Sequence, residues 1–147
     1  MPTYRLTVPA GRLDAGQRAR VAAAITRTHN EVTGAATFFA QVLIEEVPAG
    51  SWFVGGKPLA EDQLFLHGQI RAGRSAIDRQ RLLVALRDAL VEATGTERAS
   101  AWVYLVDVPA RDLIEYGHVL PEPGGESAWM ESLPRADRER MLRAQGG

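Results

Sequence analysis

Shifted against itself by 61 residues, the chain aligns residues 17–49 with residues 78–110 without a gap, identically at 11 of 33 positions. The identities include two matched runs, Thr33-Gly34 with Thr94-Gly95 and Val47-Pro48-Ala49 with Val108-Pro109-Ala110. A single self-match of this length marks two copies of one supersecondary unit, not a solenoid array. The fold must therefore be one that pairs two equivalent halves.

Each half reads alike. A strand (Thr3–Val8; Gln63–Ile70) is followed by a helix (about 14–33; 76–94) and a second strand (Phe39–Val47; Ser100–Val108). The helices carry apolar stripes at helical spacing, Val21, Ile25 and Val32 in one and Leu82, Leu86, Leu90 and Ala93 in the other. Gly34 and Gly95 stand where a helix ends in positive φ. A β-α-β crossover favours parallel pairing of its two strands. The expected fold class is α/β (α+β): a single domain over 1–147, made of units of about 1–60 and 61–120 and a C-terminal segment 121–147. Ser51–Lys57, with Gly55-Gly56, reads as a hairpin or turn, Pro121–Gly125 as a loop and Arg135–Ala144 as a polar helix. Two helices cover one face of a four-stranded sheet. The nearly continuous apolar runs Phe39–Ile44 and Ala101–Val106 ask for burial on both faces. We therefore expect an oligomer packed through the open face.

Composition then removes reaction classes. There is no cysteine, which excludes thiolate catalysis, disulfides and thiolate metal sites. His29, His67 and His118 lack metal-ligand spacing, so neither a metal nor a cofactor is expected. A net charge of −1 argues against a nucleic-acid partner. No apolar run reaches a membrane span, and no leader pattern opens the chain, so the expectation is a cytoplasmic protein without a membrane partner.

The repeat also provides an internal control, because positions where the halves differ are candidates for function. His29 pairs with Leu90, so a histidine takes a place on the inward helix face that its twin fills with leucine; a hydrogen-bonded core histidine is the plain alternative. Tyr104 pairs with Leu43, with a core tyrosine as its alternative. Arg71 and Arg74 flank a strand-to-helix junction, where cations oppose the helix dipole unless an anion sits between them; solvated surface arginines are the alternative. Glu115 reads by default as a solvated loop acid. Pro2 follows an initiator methionine of the kind usually removed, which would leave a secondary amine.

Taken together, Pro2, the doubled β-α-β unit, Ala24-Ile25-Thr26…His29, Thr33-Gly34-Ala35, Ala40-Gln41-Val42, Gly55-Gly56, His67-Gly68, Arg71-Ala72-Gly73-Arg74-Ser75, Trp102-Val103-Tyr104 and Glu115-Tyr116-Gly117 resemble the tautomerase superfamily, and within it the cis-3-chloroacrylic acid dehalogenase group. The resemblance runs from Pro2 to about Leu133. It implies a tautomerase fold, a homotrimer and a small carboxylate substrate. It implies that Arg71 and Arg74 bind the substrate carboxylate, that His29 binds and polarises it, that Tyr104 and Glu115 hold and deprotonate a water, and that Pro2 is the acid. The reaction implied is water addition to a small three-carbon unsaturated acid, giving malonate semialdehyde and halide from a cis-3-haloacrylate. A keto-enol tautomerase, a hydratase of acetylenic acids and a non-catalytic binding protein remain alternatives. The sequence departs from the dehalogenase pattern in the bulkier, alanine-containing segment Thr33–Phe39 and in His118, which stands where that group has arginine.

Overall fold

The structure, a computed structural model, describes residues 2–145. Strand β1 (Thr3–Pro9), helix α1 (Ala15–Thr33) and strand β2 (Gln41–Val47) form the first unit. The hairpin β3 (Phe53–Val54) and β4 (Lys57–Pro58) leads to the second, made of β5 (Leu64–Arg71), α2 (Ala76–Thr94) and β6 (Ala101–Val108). Beyond the repeat lie the hairpin β7 (Ile114–Glu115) and β8 (His118–Val119) and two helices, α3 (Glu126–Ser132) and α4 (Arg135–Ala144).

The four long strands make one sheet in the order β2-β1-β5-β6. Strands are parallel within each unit, and β1 runs antiparallel to β5 at the junction, with Leu6 opposite Leu66. The first strands correspond by a shift of 62, since Thr3 pairs with Gln41 whereas Leu64 pairs with Ala101. One residue is therefore lost between strand and helix in the second copy, and this is the junction that holds Arg71 and Arg74.

The identities of the repeat have structural causes. Thr33 Oγ1 donates to the His29 carbonyl and Thr94 Oγ1 to the Leu90 carbonyl, each at 2.7 Å. Gly34 and Gly95 then cap the helices at φ 71°, a conformation that a Cβ would strain. Arg18 on α1 pairs with Glu46 on β2, and Arg79 on α2 pairs with Asp107 on β6, so one helix-to-strand ion pair recurs in both halves.

Alternate residues of the strands (Tyr4, Leu6 and Val8; Leu64, Leu66 and Ile70) meet Val21 and Ile25 of α1 and Leu82, Leu86 and Leu90 of α2 in a fully buried layer. The other face of the sheet is uncovered, as expected, but only part of it is apolar. Trp102, Tyr104 and Val106 are 42%, 54% and 46% exposed there. The β1-β2 half presents the exposed ion pair of Arg5 with Glu45. Phe39 leaves the predicted strand for a short 3₁₀ turn, where it joins a second cluster with Phe38, Leu120, Leu133 and Met141. Among the described residues no helix is long and apolar enough to cross a membrane.

Candidate active site

His29 is 2% exposed, and its Nδ1 lies 2.7 Å from the hydroxyl of Tyr4, which is itself fully buried. Burial, and secondarily the charge of Arg74, pushes the His29 imidazole down to about 3. Burial raises the Tyr4 phenol above its ordinary value. Both groups are thus neutral, and one proton lies between them. If Tyr4 donates, the only atom left wanting is an Nε2–H; if His29 donated instead, both the phenol proton and an Nε2 lone pair would be orphaned. We assign the first arrangement, in which His29 carries its proton on Nε2. Gly68 makes the arrangement possible, because a Cβ there would stand 2.5 Å from Tyr4 Cε1.

The arginines sit on an elbow. Arg71 ends β5 opposite Val108, and the Ala72 amide donates to the Val108 carbonyl at 2.9 Å. Gly73 takes φ 107°, and Ser75 caps α2 by accepting from the Asp78 amide. Arg71 is 5% exposed; it donates through Nη1 to the Pro121 carbonyl at 2.7 Å and through Nη2 to the Glu126 carboxylate. Arg74 donates through Nη1 to the Arg71 carbonyl at 3.1 Å and forms no ion pair among the described residues. Burial, then the neighbouring charge of Arg71, lowers the Arg74 guanidinium from its ordinary value.

Among the described residues, the buried side-chain nitrogens and oxygens without a hydrogen-bond partner are His29 Nε2, Arg71 Nε and Asp107 Oδ1. Such orphans are rare in folded proteins. Two of these belong to residues that the sequence singled out, and both are nitrogens that would serve an anion. The elbow borders a cavity of about 670 Å³ lined also by Thr33, Phe39, Trp129 and Glu126.

The remaining candidates lie elsewhere in the chain. Glu115 borders a second cavity of about 770 Å³ with Thr3 and Gln41, and Phe38 and Phe39 wall both cavities. Pro2 is buried, and its carbonyl accepts from the Gln41 amide at 2.9 Å, which puts it at the edge of the Glu115 cavity. Met1, whose removal would free the Pro2 amine, lies outside the described residues. Tyr104 is not brought to either cavity; it stands on the open face of β6, edge-on to Phe65 at 5.0 Å. His118 turns to α4, its Nε2 2.9 Å from Asp137. Sequence reasoning missed Tyr4 and Glu126. Tyr4 alternates with Leu6 and Val8 and so reads as core, yet a phenol at a core position requires a partner. Glu126 carries no periodic signal.

The sequence profile of a family described as putative oxalocrotonate tautomerase enzyme matches residues 1–132. The chain belongs to the tautomerase superfamily. Within that superfamily it is similar to N1, a member of the cis-3-chloroacrylic acid dehalogenase family, at 30% identity and a TM-score of 0.92, over 96% of this chain and 99% of that one. It is also similar to native Ps01740, at 34% identity and a TM-score of 0.72, over 77% of this chain and 99% of that one. A native fused 4-OT shares the tautomerase fold at 23% identity and a TM-score of 0.74, over 80% of this chain and 94% of that one. No curated protein sequence matches the chain.

Proposed function

We propose that this chain is an enzyme that adds water to small three-carbon unsaturated carboxylates in the manner of a cis-3-chloroacrylic acid dehalogenase. The observation that carries the reading is the pair of orphaned donors, His29 Nε2–H and Arg71 Nε–H, beside the unpaired charge of Arg74. A carboxylate bound there would satisfy all three. The neutral imidazole donates a hydrogen bond without adding a charge, and the guanidinium groups stabilise charge that develops on the carboxylate as C3 becomes electrophilic. Glu115, ionised, takes a proton from water; the oxygen bonds to C3, and Pro2, as the terminal ammonium of a chain lacking Met1, protonates C2. From a cis-3-haloacrylate the resulting halohydrin loses halide and a proton, leaving malonate semialdehyde.

Tyr104 stands on the open face of its own subunit and lines neither cavity there. Relatives among the fused 4-OT structures are trimers, and the aromatic part of the open face, with Trp102, Tyr104 and Val106, suits such an assembly. We place Tyr104 at the active site of a neighbouring subunit in a homotrimer.

The test is halide release from cis-3-chloroacrylate by protein whose intact mass shows Met1 removed. Loss of roughly 100-fold or more in Glu115→Gln and in Arg74→Ala is expected. Normal turnover in Glu115→Gln would sink the water-activation role.

A further inference from the structure

The segment that follows the duplicated units docks on the arginine elbow at three points. The Pro121 carbonyl accepts from Arg71 Nη1 at 2.7 Å. The Glu126 carboxylate takes Arg71 Nη2 with one oxygen, and its other oxygen accepts from the Gly124 amide at 2.8 Å. The Pro123 ring packs on Gly73 so closely that a Cβ there would lie 2.8 Å from Pro123 Cγ. Burial works to raise the Glu126 carboxyl, but the hydrogen bond from Arg71 prevails and holds it below the usual carboxylate range.

A guanidinium buried as deeply as that of Arg71 needs a counter-charge. Glu126 supplies it from outside the repeat, while Pro121 and Pro123 stiffen the loop that carries it. The contacts occupy the two terminal nitrogens of Arg71 and leave Nε without a partner. We propose that Glu126 is a positioning residue: held by the 121–126 loop, it fixes the Arg71 guanidinium so that Nε–H is presented to the substrate carboxylate. With Arg71 neutralised by Glu126 and His29 uncharged, Arg74 supplies the uncompensated charge of the group, which suits a monocarboxylate. This inference rests on reading the elbow as the carboxylate site.

The experiment measures the dissociation constant of acrylate, a three-carbon acid with no leaving group, by NMR titration of the full chain. In Glu126→Gln we expect weakening of about tenfold, as for loss of one charge-assisted contact. We also expect loss of the slowly exchanging Arg71 Nε–H resonance, with partial recovery of both in Glu126→Asp. Pro123→Ala, which removes no charge, should weaken binding about threefold by loosening the same loop, and it keeps the proposal testable if Glu126→Gln folds poorly. Unchanged or tighter acrylate binding in Glu126→Gln overturns the proposal, because Glu126 would then be competing with the ligand for Arg71. Arg74→Ala separates this failure from failure of the site. If it binds acrylate like the parent, the carboxylate reading falls and the proposal falls with it. If it loses binding while Glu126→Gln does not, only the positioning role is refuted.

Discussion

Replacing Tyr4 by phenylalanine removes one oxygen from a fully buried site and deprives His29 Nδ1 of the partner 2.7 Å away. Leaving a buried acceptor unsatisfied costs about 1–3 kcal/mol, or roughly 2–12 °C in Tm for a chain of this size. His29→Leu installs the residue found at Leu90 in the other half and leaves the Tyr4 hydroxyl unsatisfied instead, at a similar cost. The double variant removes both polar partners and should cost no more than either single variant, a coupling of about 1–3 kcal/mol. Urea unfolding at fixed protein concentration measures the cycle. Ligand binding should behave differently. His29→Leu and the double variant both lack the Nε2–H and should bind acrylate about tenfold more weakly or worse even where stability returns. Nitrogen-15 shifts of the His29 ring should show an Nε2–H tautomer in the parent and a mixture in Tyr4→Phe. Strict additivity of the two stability losses, or an Nδ1–H tautomer in the parent, would refute the reasoning.

The depressed His29 value gives a second prediction. A histidine held near 3 when folded and at its ordinary 6.5 when unfolded takes up a proton only in the unfolded chain between those values. Its stabilising contribution is thus complete above 6.5 and falls as the pH drops toward 3. Between pH 7 and 5.5 the parent should lose about 1 kcal/mol, and His29→Leu should lose markedly less; equal slopes in urea unfolding would exclude His29 as the cause. Gly68→Ala should be among the more damaging single-methyl changes, about 2–4 kcal/mol, because its Cβ would meet both Tyr4 Cε1 and Leu105 Cδ2 at 2.5 and 2.7 Å; a variant melting like the parent would show that the Tyr4 ring shifts freely. Asp62→Asn weakens the two-point bond from Arg12 and should cost about 1–2 kcal/mol while leaving acrylate affinity unchanged, since the pair stands at the first strand-to-helix junction and not at the arginine elbow. A change in affinity would argue against the separation of the two junctions.

What could be read from the sequence was what recurs or repeats at a fixed period. The helix stripes, the two Thr-Gly stops and the Arg71–Arg74 elbow all have local causes, and helix α2 and helix α4 appear at the predicted bounds. Helix α3 escaped because Glu126–Ser132 buries none of its residues and has no side-chain cap. The hairpin that carries Glu115 escaped because its turn places Tyr116, a non-glycine residue, at φ 53° before Gly117, with none of the Asn-Gly or Asp-Gly signals of such turns. The apolar run Phe39–Ile44 misled in a different way. Its first residue turns out of the sheet, and the open face beside β2 carries Glu45 paired with Arg5. The contact between Arg71 and Glu126 spans 55 residues, and no periodicity announces a pairing of that kind.

The duplication lets the two strand-to-helix junctions be compared, and under the reading proposed above only the second is open to an anion. Arg12 stands in the first strand-to-helix junction as Arg74 stands in the second, and each lies by the end of the opposite helix. Arg12 Nη2 reaches the Thr94 carbonyl, and Arg74 borders the same cavity as Thr33. At the first junction the cation is closed by an acid of the chain. Asp62 takes Arg12 at 2.7 and 2.9 Å and is held in turn by Thr96 Oγ1 at 2.6 Å. In the second half the acid that arrives is Glu126, and it binds Arg71 rather than Arg74. The helix positions near the two junctions differ in the same sense: Leu90 lies on α2, one turn before the Thr94 that Arg12 reaches, and His29 lies on α1, within the field of Arg74. Two symmetric cation positions were thus resolved in opposite ways, one as a structural ion pair and one as a charge that forms no ion pair among the described residues, near an imidazole Nε2 that has no hydrogen-bond partner there. A purely structural role for Arg74 would have been met by the solution its twin already uses. The departure from that solution, more than the presence of arginine itself, is what supports the carboxylate site proposed at the second junction.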